Sequence, residues 1–157
     1  MIVEIPDVES KSIDALVGRI VGLIWYGGGM LSAGDVAALR RMDPTKPGAA
    51  FFKLTGVVLD EELGAGSARE DLETRWASIV VGLAHLGDLH RRGARLGGAL
   101  VDAKFSELRF SRLLRADAPR LVDEIPTRAR FLTAKAVQVD WGGAGWLILS
   151  AGRSDEE

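Results

Sequence analysis

The sequence predicts an all-α protein folded as a compact helical bundle. Apolar residues recur at i, i+3, i+4 and i+7 along nearly the whole chain, the spacing of one helix face. Ser12, Ser32, Ser67, Ser106 and Asp140 stand immediately before or at the start of such runs, where an oxygen side chain can accept a free first-turn N–H. The one plausible strand, Val137-Gln138-Val139, is too short to found a sheet.

Each element follows in order. Ser12 is placed to cap a first helix through Ile13, Leu16, Val17, Ile20, Leu23 and Ile24, ended by Gly27-Gly28-Gly29. Ser32 caps a short helix to Arg41, with Asp35 in its first turn, and Asp43-Pro44-Thr45-Lys46-Pro47 is a firm break. Gly48 to Leu63 reads as a third helix, weakened at Gly56. Ser67-Ala68-Arg69-Glu70 has the capping-box pattern and opens a helix with one apolar face: Leu72, Trp76, Ile79, Val80 and Leu83.

Residues 87–98 are polar, basic and glycine-containing, and are open between helix and mobile loop. A short helix follows from Leu96 to Lys104. Ser106 caps another, with Phe110, Leu113 and Leu114 facing inward. Pro119 suits the first position of the next helix, and Pro126 should kink or break it. Asp140 caps a last segment containing Trp141, Trp146, Leu147 and Leu149.

At 157 residues, 47% hydrophobic and 27% charged, the chain is sized for one domain or two small lobes sharing a core. We expect lobes at 1–86 and 106–157, joined by 87–105, with Asp155-Glu156-Glu157 as a short acidic tail. No apolar stretch reaches the roughly 20 residues of a membrane span. Met1 to Pro6 is acidic where a secretory signal is basic, so a soluble, unprocessed, cytoplasmic protein is expected.

Catalytic and metal motifs are not found. Zero cysteines exclude a disulfide scaffold and a thiolate site. His85 and His90 fall about 140° apart on a continuous helix, poorly placed to share a metal. Gly27-Gly28-Gly29 lacks a following Gly-Lys-Ser/Thr, and no strand precedes Gly142-Gly143-Ala144-Gly145. Paired acids such as Asp60-Glu61-Glu62 and Glu70-Asp71 fall at helix ends, where the helix dipole accounts for them. No enzyme activity and no cofactor are expected.

The net charge of −2 conceals an asymmetry: residues 1–83 carry −4, residues 84–135 carry +5 and residues 136–157 carry −3. A basic face is therefore compatible with an acidic chain, and a solvated helical surface is the plainer account of the same charges.

The stretch Ser106-Glu107-Leu108-Arg109-Phe110-Ser111-Arg112-Leu113-Leu114-Arg115 resembles the Ser-Glu-x-Arg-Phe-x-Arg-Leu-Leu signature of the CasB family, the small subunit of the type I-E CRISPR surveillance complex, Cascade. Upstream, Gly34 to Arg41 followed by prolines and Phe51-Phe52-Lys53-Leu54 is similar to that family's N-terminal helix pair. Downstream, Thr127 to Leu132 and Val137-Gln138-Val139-Asp140-Trp141 are similar to its closing helix and its Asp-Trp turn. The likeness spans about residues 12–150; the triple glycine, the 142–145 glycine run and the acidic tail depart from it. It implies a non-catalytic helical subunit that stacks on its own kind, touches the guide-holding subunits and stabilises the R-loop through guide RNA and target DNA backbones, leaving sequence to base pairing.

The residues agree in kind. Nine of the 11 cations in the middle block are arginines, which suit bidentate phosphate contacts. Arg109, Arg112 and Arg115 fall at i, i+3 and i+6 on one helix face; their plainer reading is a salt-bridged surface with Glu107 or Asp117. Arg40 and Arg41 close a helix, where the C-terminal dipole alone would favour them. Arg128 and Arg130 follow Pro126, and Arg91, Arg92 and Arg95 form a loop cluster. The four tryptophans are core or interface anchors rather than base stackers. A protein-only helical adaptor remains the alternative; a helix-turn-helix regulator fits less well, because Arg109 to Arg115 is too apolar for a recognition helix.

Overall fold

The computed structural model describes residues 4–26 and 29–152. Helix α1, Glu4–Val21, starts eight residues before Ser12, with Pro6 in its first turn, where a missing N–H breaks no helical bond. Ser12 is thus an interior residue and not the expected cap. A π-helical turn, Gly22–Tyr26, follows. Gly27 and Gly28 lie outside the described residues, and Gly29 has φ +102°.

Helix α2, Ala33–Arg41, has the expected cap: Asp35 N donates to Ser32 Oγ and Ser32 N to Asp35 Oδ2, each at 3.0 Å. Lys53 Nζ also donates to Asp35 Oδ2 at 2.9 Å, which with the Ser32 N–H holds this carboxylate below its ordinary pKa. The expected third helix divides into α3, Ala49–Val58, and α4, Asp60–Leu63; the interruption falls at Leu59 and not at Gly56.

Helix α5, Ala68–Leu86, is the centre of the fold. Its expected capping box does not form: Ser67 has helical backbone angles and makes no side-chain cap. The first turn is held instead by the Arg69 guanidinium, which bonds Gly64 O and pairs with Glu73 at 3.1 Å. Residues 76–84 are buried without interruption, so α5 is enclosed on all sides rather than amphipathic over this stretch.

Of the ambiguous 87–98 stretch, residues 96–98 open a helix, and 87–95 is neither a continuous helix nor a free loop. After the 3₁₀ turn Gly87–Leu89 it is bonded to the segment before the last helix. Val139 N donates to Leu89 O and Arg91 N to Val139 O, both at 2.9 Å, forming one parallel bridge between His90 and Val139. Helices α6, Leu96–Asp102, and α7, Glu107–Leu114, follow, α6 ending two residues short of Lys104. Ser106 caps α7 as expected, accepting from Arg109 N at 3.2 Å.

Helix α8, Ala118–Ala134, is capped by Asp117, which accepts from Arg120 N at 3.0 Å, with Pro119 in the first turn. It runs unbroken through Pro126, so of the expected kink or break the break does not occur. Proline removes the donor that would have satisfied Val122 O, and Ser78 Oγ of α5 supplies one in its place at 2.8 Å. Helix α9, Gly142–Ser150, follows with Trp141 and not the expected Asp140 at its cap; Asp140, one residue earlier, accepts from Gly142 N at 3.0 Å and from Gly93 N at 2.9 Å, so it holds the first N–H of α9 and anchors the basic loop together.

Helix α5 packs against α2, α8 and α9, and α1 lies along α9. One continuous core runs from Ile13 to Leu149 through both halves of the chain. No described helix is long and apolar enough to cross a membrane.

Candidate nucleic-acid interface

Capping at Ser106 and burial of Leu113 mount α7 rigidly on the body, with the Phe110 ring lying against Gly97 of α6. Leu114, expected inward, is 53% exposed, and Leu108 is 60% exposed, so α7 buries a narrower face than its sequence suggests. Its other side carries Arg109, Arg112 and, at the C-cap, Arg115, all exposed. Among the described residues none of the three makes an ion pair, so neither Glu107 nor Asp117 neutralises them. The Arg109 guanidinium lies 5.0 Å from the Phe105 ring centre, which limits its freedom while leaving its edge available.

Arg128, a candidate nucleic-acid contact with Arg130, is 6% exposed. Because α8 does not break at Pro126, this position stays on the inward face. Its guanidinium packs on Phe105 at 4.9 Å and Phe131 at 5.8 Å, and its Nε stands 3.3 Å from Glu124 Oε1, too poorly aligned for a hydrogen bond. Burial lowers its pKa, Glu124 opposes this, and the charges of Arg109 and Arg130 add to it. Arg128 is therefore a structural cation, and the Phe105 ring is shared by a buried and an exposed arginine.

Arg130 is exposed and donates to Thr127 Oγ1 at 3.2 Å. It and Arg40 both act on His85, whose pKa is lowered by burial and by the charges of the two arginines. Arg40 reaches across to α5, its Nε donating to Ala84 O at 2.9 Å and its guanidinium lying 5.6 Å from the Trp25 ring centre. Arg41 is exposed at the end of α2. Residues far apart in the chain thus converge at the C-terminal ends of α2 and α5.

Arg91, Arg92 and Arg95 are also exposed, but the structure ties them to another neighbourhood. Arg91 Nη1 donates to Gln138 Oε1 at 3.2 Å, and the charge of Arg92 is felt by Asp14 and His90. His90 Nδ1 accepts from Trp141 N at 3.1 Å, and burial lowers its pKa. Among the described residues no group of three or more His, Cys, Asp or Glu side chains is placed to hold a metal.

The sequence reading missed Arg120. It is exposed on the first turn of α8 and, with Arg109 and Arg112, lines a cleft between α7 and α8. A count of arginines in the 106–130 block would have included it, but only the tertiary arrangement brings it to the same cleft as Arg112.

No curated protein and no solved structure matches the chain. A family model described as CRISPR-associated protein Cse2 matches residues 35–148, from within α2 through most of α9. The chain belongs to the Cse2 family, the CasB small-subunit family of the type I-E Cascade complex that its sequence resembles.

Proposed function

We propose that this Cascade subunit stabilises the R-loop by holding nucleic-acid backbones on the exposed arginines of α7, and that it has no catalytic activity of its own. The observation that carries the reading is the unpaired set Arg109, Arg112 and Arg115 on a capped, anchored helix. Guanidinium groups without acidic partners are open to bidentate phosphate contact. Arg130, with Arg40 and Arg41, extends the basic surface across α8 and α2. Arg91, Arg92 and Arg95 form a second patch available to guide RNA, target DNA or a neighbouring subunit. Arg128 supports the surface from beneath and touches no nucleic acid.

Contacts with other Cascade subunits, a further copy of this chain included, belong to the same proposal. Val101, Leu108 and Leu114 are 66%, 60% and 53% exposed on α6 and α7, and large apolar side chains at the surface suit a protein partner. The division into lobes 1–86 and 106–157 about 87–105 is also proposed, with one shared core between them.

The test is target-DNA affinity of the assembled complex across a salt series, comparing wild type with Arg112→Ala/Arg115→Ala. Each lost phosphate contact should reduce the magnitude of the log-affinity versus log-salt slope by about 0.7–0.9. The loss should be equal on unrelated targets, each with its matching guide. Unchanged affinity and slope in a complex that assembles fully, by size exclusion, would assign these arginines to protein contacts.

A further inference from the structure

Two adjoining clefts lie between α7 and the start of α8. The inner, about 140 Å³, is lined by Phe105, Arg109, Arg112, Leu113, Arg120 and Glu124. The outer, about 400 Å³, is lined by Arg112, Arg115, Ala116, Asp117 and Arg120. Arg112 and Arg120, one from each helix, border both clefts.

Neither is neutralised. Among the described residues Arg112 and Arg120 make no ion pair. Of the two acids at the clefts, Glu124 pairs with the buried Arg128 at 3.3 Å, and Asp117 keeps its charge while accepting the Arg120 backbone N–H at 3.0 Å. Gathering guanidinium groups without a counter-charge is unfavourable for the free chain and becomes favourable when an anion bridges them.

We propose that Arg112 and Arg120 form a two-helix clamp for a single phosphodiester group of a nucleic-acid strand, with Arg120 as a binding residue in its own right. The clamp rests on the nucleic-acid reading above and deepens it: one phosphate is held from two directions, which sets the path of the strand across the α7–α8 junction.

The test uses the assembled complex, a fluorescent target duplex matching its guide, and the variants Arg112→Ala, Arg120→Ala, both together, and Arg112→Ala/Arg115→Ala. Assembly and melting temperature serve as controls; Arg120 is exposed and its cap uses only the backbone, so alanine should leave both unchanged. Each single substitution should weaken binding about tenfold. Because the two share one phosphate, the Arg112/Arg120 double variant should weaken little more than either single one. Its salt slope should fall by one contact, about 0.7–0.9, rather than two. Fully additive losses would mean two separate phosphates and overturn the clamp. Unchanged binding on Arg120→Ala alone, with Arg112→Ala/Arg115→Ala weakened, would also overturn it and leave the broader reading standing. Unchanged binding in every variant would overturn both.

Discussion

Ser78 Oγ donates to Val122 O at 2.8 Å, four residues before Pro126, and so joins the middle of α5 to the carbonyl that proline leaves without a partner. Ser78 is fully buried, so no water replaces it. Ser78→Ala should destabilise the protein by about 1–3 kcal/mol, the cost of a buried unsatisfied acceptor. In a Pro126→Ala background, where alanine restores the N–H, Ser78→Ala should cost clearly less. Urea unfolding of the four proteins in this double-mutant cycle measures the coupling, and equal costs in both backgrounds would show that the bond does not compensate for proline.

Gly82 faces the Trp141 indole so closely that a Cβ would stand 2.6 Å from its Nε1. Trp141 is fully buried, and that Nε1 donates to Ile79 O at 3.2 Å, so the ring cannot easily retreat. In an exposed helix, glycine to alanine stabilises by about 1 kcal/mol. Here overpacking reverses the sign: Gly82→Ala should destabilise by about 1–3 kcal/mol, measured by thermal or urea unfolding.

Arg128 and Arg112 should behave oppositely. Arg128→Ala removes a buried stem packed on Phe105 and Phe131 and leaves Glu124 without its cation, so a loss of about 2 kcal/mol is expected. Arg112→Ala, at an exposed position without an ion pair, should leave stability within about 0.5 kcal/mol. Melting temperatures of the two isolated variants check the contrast.

Burial holds the pKa values of His85 and His90 below 6.5 in the folded protein. The unfolded chain therefore binds more protons in this window, so stability is full above pH 6.5 and falls as pH drops through and below it. Asp14 shifts upward by burial and by the charge of Asp140, and it acts with the opposite sign in the more acidic carboxylate range. Unfolding free energy should decline between pH 7.5 and 5.5, and His85→Gln should flatten part of that decline. A pH-independent wild type would contradict it.

Much of the helical plan was legible in the sequence because caps and apolar spacing are local signals. Ser32 with Asp35 and Ser106 accept the N–H groups their spacing assigns them. The CasB-like motif around Arg109 likewise pointed to the Cse2 family without coordinates. What the sequence alone determined was the helical class, most helix boundaries and the basic character of the 84–135 block. Tertiary structure decided what depends on partners distant in sequence: α8 continues through Pro126 because Ser78 satisfies Val122 O, and Arg128 is consequently buried. It also decided that loop 87–95 is pinned by Val139 and Asp140, and that Arg120 lines the same cleft as Arg112. Exposure of a charged side chain is set by whichever helix packs beside it, and that neighbour lies beyond the reach of any local pattern.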